Sequence, residues 1–106
     1  MKYPLSQHMS FTVLNLSGEI DLSESPDVRK QILNCIKSRN NLLVDLSAVE
    51  YIDSSGVACL VEGLQTCREK KLEFALLGVS DSALQVLQLA RLDSVFKLYK
   101  TLDEIS

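Results

Sequence analysis

The sequence predicts an α/β fold, a single domain built on a mixed β-sheet with helices packed mainly on one side. Three observations lead there. Short apolar runs at residues 11–16, 42–44 and 72–77 alternate with segments of helical periodicity, the order that builds a largely parallel sheet. The helical segments repeat apolar residues at i, i+3, i+4 and i+7, as in Val57, Leu60, Val61 and Leu64. The chain has 106 residues, 46% hydrophobic and 24% charged, which suffices for one core and is too short for two.

In order, residues 2–8 are expected to form an edge strand, since Pro4 argues against a central one. Residues 11–16 read as an internal strand, with Phe11, Val13 and Asn15 on one face and Thr12, Leu14 and Leu16 on the other. Ser17-Gly18 should break it, and Glu19-Ile20-Asp21-Leu22 should carry the chain across to a helix. Residues 23–27 have the makings of that helix start: a serine as cap, Pro26 in the first turn and two acids where the dipole favours them. Val28, Ile32, Cys35 and Ile36 give its apolar stripe, and Asn40-Asn41 should end it, because Asn tolerates a left-handed backbone.

Residues 42–44 then form a buried strand, 45–55 a loop at its carboxyl end, and a second helix runs from Asp53-Ser54-Ser55-Gly56 to about Lys70-Lys71. Residues 72–77 are a strand stopped by Gly78. Ser80-Asp81-Ser82 caps a helix carrying Ala83, Val86, Leu87 and Ala90, residues 95–99 form a last short strand, and 101–106 a fraying or docking turn. One domain, 1–106 with a core of about 9–100, accounts for the whole chain.

Composition excludes several classes of function. The formal net charge is −3 and the eleven Lys and Arg are scattered, so the footprint of a nucleic-acid binder is missing. No apolar run approaches a membrane span, and the N-terminal residues lead into no signal-peptide core; a cytoplasmic protein is expected. Cys35, Cys59 and Cys67 match no zinc or redox spacing and read as buried small side chains. With His8 as the one histidine, neither a metal site nor a cofactor is expected.

The stretch that concentrates chemistry is Asp53-Ser54-Ser55-Gly56. It sits where a helix begins, with unpaired N–H groups and the positive end of the macrodipole, a place that accommodates an anion. Asp53 or Ser54 could cap those donors, and DSSG read alone is a cap and a turn. An enzyme would need a base near Ser54 or Ser55 and an oxyanion hole, and neither Gly-x-Ser-x-Gly nor a glycine-rich phosphate loop is present. A phosphoaspartate receiver at Asp45 lacks the acidic cluster that would hold Mg²⁺. No enzymatic activity is expected.

The segment VDLSAVEYIDSSGVACLVE, together with Gly18-Glu19-Ile20-Asp21 upstream, resembles the STAS domains of bacterial anti-sigma factor antagonists. The likeness runs from about Phe11 to Tyr99. It implies a STAS-like fold and a partner-switching role: the unphosphorylated protein binds an anti-sigma factor serine kinase and frees a sigma factor, phosphorylation abolishes binding, and a PP2C-type phosphatase reverses it. The family's phosphorylated serine follows the Asp, which carries over to Ser54, with Ser55 the second choice. The expected binding surface comprises Asp53, Ser54, Ser55, Gly56, Glu62 and Gln65, with Glu19 and Asp21 as weaker candidates. Stand-alone STAS domains also resemble the cytoplasmic scaffold subunits of lipid-transporting ABC complexes, which is the alternative reading. A monomer is expected.

Overall fold

A computed structural model describes residues 3–105. Five strands lie in the order β1-β2-β3-β4-β5: β1 (Leu5–His8), β2 (Phe11–Ile20), β3 (Asn41–Ile52), β4 (Phe74–Leu77) and β5 (Lys97–Tyr99). β1 is antiparallel to β2, while the other pairings are parallel and require the crossover helices α1 (Ser25–Lys37), α2 (Ser54–Glu69) and α3 (Asp81–Leu89). The edge strand expected at 2–8 is present from Leu5, and Lys2 lies outside the described residues.

All three helices cover one face. Leu14, Leu16, Val44, Leu46 and Leu76 from the sheet meet Val28 and Ile32 of α1, Leu60 and Cys67 of α2 and Leu87 of α3 in one buried cluster. The alternation read from 11–16 holds, for Phe11 and Val13 point the other way, into a smaller cluster with Leu43, Ala75 and Leu77. Among the described residues no helix covers that cluster. A 3₁₀ turn, Leu102–Glu104, instead lowers Ile105 onto it, so the chain docks as far as Ile105. At the other end of the chain Tyr3 is clamped to α1: its N–H donates to Gln31 Oε1 and its carbonyl accepts from Gln31 Nε2, both at 2.9 Å, which satisfies a buried amide.

Five expectations are corrected. Ser17-Gly18 does not break β2, which continues to Ile20 beside a longer β3. Residues 45–55 are not a loop, because β3 runs to Ile52 and leaves Asp53 as the whole connection to α2. The cause is two irregularities in the β2–β3 register. Asn15 pairs with Asp45 but Ser17 with Ala48, and Gly18 pairs with Val49 but Glu19 with Tyr51, so β3 holds an extra residue at each place. Each one resets the inward and outward alternation, and Leu46, Val49 and Ile52 are buried at intervals of three. Gly18, at φ +76°, supplies a backbone that other residues rarely adopt in this ribbon.

The third correction concerns helix starts. No serine caps α1; Asp21 organises the preceding turn, its Oδ1 accepting from the N–H groups of Ser23 and Glu24. The fourth concerns helix ends. Arg39, Lys71 and Arg91, at φ of 62°, 61° and 59°, take the left-handed position after α1, α2 and α3, where Asn was expected for the first. In each case the next N–H reaches five residues back, as Leu72 does to the Cys67 carbonyl at 2.8 Å. Asn41 opens β3 and its Oδ1 accepts from Glu73 N–H. The last strand is also shorter than expected, with Val95 in a turn before it.

Candidate functional site

The site is built where the long β2–β3 ribbon ends. Ile20 and Ile52 are paired neighbours, both buried, and each is followed by an aspartate. Asp53 is tied to the first strand by its N–H, which donates to the Ile20 carbonyl at 3.2 Å. Its side chain then caps α2: Oδ1 accepts from Ser55 N–H at 2.9 Å, Gly56 N–H at 3.2 Å and the Ser55 hydroxyl at 2.5 Å. Of the two caps left open by the sequence, the structure uses Asp53. Those bonds, the Ser55 hydroxyl first, hold the Asp53 carboxyl below its ordinary value of 3.8, against the opposing pull of partial burial.

Asp21 repeats this geometry one strand away. Its Oδ1 accepts from Ser23 N–H at 3.0 Å and from the Ser23 hydroxyl at 2.6 Å, and its pKa is lowered, first by that hydroxyl bond. A third copy lies inside β3, where the Ser47 N–H and hydroxyl donate to Asp45 Oδ1 at 2.9 and 2.6 Å. The sequence carried this signal as Asp-x-Ser at 21–23, 45–47 and 53–55.

Ser54, the middle residue of the third motif in chain order, is exposed, and its hydroxyl makes no hydrogen bond among the described residues. Ser55 is half-buried with its hydroxyl committed to Asp53. Gly56 is buried and offers no surface. A Cβ there would lie 2.7 Å from Ile52 Cγ1, 2.9 Å from Ile20 Cγ2 and 3.1 Å from the Ile20 carbonyl oxygen, so glycine lets the first turn of α2 sit directly on the ribbon end.

Further along α2, Ser54, Val57, Val61 and Gln65 form one wall of an open groove of about 760 Å³, with Val86 and Leu89 of α3 on the other. Gln65 is exposed, as expected of a surface position. Glu62 also lines the groove but is not free: its Oε1 accepts from Arg29 Nε at 2.8 Å, which links α2 to α1. Glu19 is exposed on β2 opposite Tyr51, near the same ribbon end. Three exposed apolar side chains in this region were not anticipated: Leu89 at 87% exposure, Leu22 at 74% and Tyr51 at 53%. Leu22 occupies in the Asp21 turn the place that Ser54 occupies in the Asp53 turn.

His8 pairs with Phe11 at the start of β2, the end of that strand remote from Asp21 and Asp53, so it is no base for Ser54. The three cysteines are buried thiols; desolvation raises all three and pushes Cys67 up to about 11. Among the described residues no helix is long and apolar enough to cross a membrane.

Comparison with known protein families matches residues 2–105 to the STAS domain. The chain belongs to that family. Its relatives include the anti-sigma-B factor antagonist of Listeria monocytogenes, 27% identical over 84 residues that cover 78% of this chain and 74% of the relative. The anti-sigma-F factor antagonist RsfB of Mycobacterium tuberculosis is 27% identical over 101 residues, 94% of this chain and 82% of that one. Among solved structures, a putative anti-sigma factor antagonist from Thermotoga maritima superposes with a TM-score of 0.88 at 26% identity, covering 96% of this STAS chain and 89% of the other. These relatives are named for a regulatory role and not for a reaction.

Proposed function

We propose that this STAS protein is an anti-sigma factor antagonist of the partner-switching kind. Unphosphorylated, it binds an anti-sigma factor serine kinase, and the sigma factor held by that kinase is released. Phosphorylation of Ser54 abolishes binding, and a PP2C-type phosphatase restores it. The observation that carries this reading is the Ser54 hydroxyl, exposed and unpaired among the described residues, in the first turn of α2 and at the mouth of an apolar groove.

Phosphate there adds about −1.5 to −2 charges. The fold tolerates them, because Ser54 is exposed to solvent at the positive end of the α2 dipole. The interface does not. A hundredfold loss of affinity, about 2.7 kcal/mol, moves a partner from mostly bound to mostly free, and a dianion placed against desolvated apolar surface is enough to supply it. The contact surface on this reading is Ser54 with Asp53 and Ser55 at the rim, the helix seated by Gly56, and Glu62 and Gln65 along the groove, flanked by Glu19 and Asp21.

The test is calorimetric titration of the wild type, its phosphorylated form, Ser54→Ala and Ser54→Asp against the cognate kinase, alongside melting curves. Ser54→Ala should bind as the unmodified protein does. Ser54→Asp should bind at least tenfold more weakly at equal stability. Equal binding by the two variants overturns the switch and leaves the constitutive scaffold of a lipid-transporting complex as the better reading.

A further inference from the structure

Ser54 and Ser55 are adjacent hydroxyls at one helix start, yet they are held quite differently. Ser55 Oγ donates to Asp53 Oδ1 at 2.5 Å, and the Ser55 N–H fixes the same oxygen at 2.9 Å. Ser54 is exposed and its hydroxyl has no partner among the described residues. The same latch closes on Ser23 at Asp21 and on Ser47 at Asp45, each with a hydroxyl bond of 2.6 Å. In all three turns the residue two after the aspartate is held, and the side chain between them, Leu22, Leu46 or Ser54, takes no part. The latch is therefore a property of the Asp-x-Ser turn and not of the packing around one loop.

We propose that Asp53 is a positioning residue that selects the phosphate acceptor: by holding the Ser55 hydroxyl it leaves Ser54 as the serine of the pair that a kinase can use. This rests on the reading of Ser54 as a phosphorylation site. In the transfer, Ser54 Oγ forms a bond to the γ-phosphorus of a nucleoside triphosphate while the bond from that phosphorus to the β–γ bridging oxygen breaks. The diphosphate leaves with the electron pair, and the hydroxyl proton passes to a base on the kinase. For Ser55 the same displacement requires Oγ to leave a charge-assisted hydrogen bond and the triphosphate to approach the Asp53 carboxylate. A preference of tenfold or more for Ser54 is expected, which is about 1.4 kcal/mol or more.

The experiment replaces the native copy, in the protein's own cells, with the wild type, Asp53→Asn, Asp53→Ala, Ser54→Ala, or Asp53→Ala combined with Ser54→Ala. Phosphate is then located by mass spectrometry on the peptide containing residues 54 and 55. Melting curves of the purified variants establish that each is folded. The wild type and Asp53→Asn, which keeps an acceptor oxygen, should carry at least ten times more phosphate on Ser54 than on Ser55. Asp53→Ala should bring Ser55 to within about twofold of Ser54. Ser54→Ala should leave Ser55 unmodified, and the double variant should restore phosphate at Ser55. If Asp53 were only a helix cap, Asp53→Ala would lower stability without moving the Ser54 to Ser55 ratio, and that result overturns the proposal. Full phosphorylation of Ser55 in Ser54→Ala overturns it as well, while leaving phosphorylation of this turn intact. A wild type with no phosphate on either serine sinks the Ser54 reading itself, and the selector with it.

Discussion

Replacing Gly56 by alanine sets two effects of opposite sign against each other. Helix propensity favours alanine over glycine by at most about 1 kcal/mol in a helix interior, and by less in a first turn. Packing opposes it, because the new methyl would fall 2.7 Å from Ile52 Cγ1 and 2.9 Å from Ile20 Cγ2. Neither carbon is the far end of a flexible side chain, and the Ile20 carbonyl oxygen at 3.1 Å is backbone. Overpacking of this kind costs about 1–3 kcal/mol. The net expectation for Gly56→Ala is a loss of about 1–2 kcal/mol, which lowers Tm by roughly 4–16 °C in a domain of this size. Ala58, exposed two residues further along the same helix, is the control. Ala58→Gly removes propensity without touching the ribbon and should cost about 1 kcal/mol. Thermal and urea denaturation of both variants decide the matter. If Gly56→Ala melts above the wild type, the close seat of α2 on the ribbon end is not what glycine is there for.

Further expectations concern the core, acid stability and the surface. Leu60→Ala, at a position 1% exposed, should cost about 2–5 kcal/mol; Glu62→Ala should cost no more than about 1, the worth of the exposed ion pair with Arg29, and equal shifts of the urea midpoint would refute the helical register. Asp21 and Asp53 both have pKa values below the ordinary 3.8, so their contribution is fully present above that value and is lost as pH falls through the lowered ones. Asp53→Asn should therefore flatten the fall in Tm below about pH 4, and an unchanged acid profile would count against the cap. Gln65→Lys should weaken kinase binding at unchanged Tm, since Gln65 is exposed in the groove wall; crosslinks that place the partner on α1 instead would refute that surface.

The helices were legible because their signal is local. Val57, Leu60 and Leu64 recur at helical spacing whatever the sheet does, and all three are buried on α2. The place of Ser54 at the start of α2 was legible for a related reason, since Asp53 and the apolar stripe mark a helix start wherever they occur. The far half of β3 was not. Its buried residues Leu46, Val49 and Ile52 match neither the period of two of a strand nor that of a helix, and the pattern makes sense only beside β2. The end of α1 misled for another reason: Arg39 holds the left-handed position, as Lys71 and Arg91 do after α2 and α3, although glycine or asparagine is its usual mark. Glu62 looked like free surface because its partner Arg29 lies on a different helix, a distance in sequence that no local pattern spans.

The two extra residues of β3 also give the ribbon slack. Glu50 is the residue that β2 leaves unpaired at the second irregularity, between Val49 and Tyr51. Removing it would leave Val49 beside Gly18, Tyr51 beside Glu19 and Ile52 beside Ile20, so that Val49 and Ile52 still face the helices and Tyr51 still faces solvent, now in the period of two of a regular strand. The loss of one residue at an irregularity should therefore be absorbed there, and the length of this strand can drift over evolution while the direction in which Ser54 faces is kept.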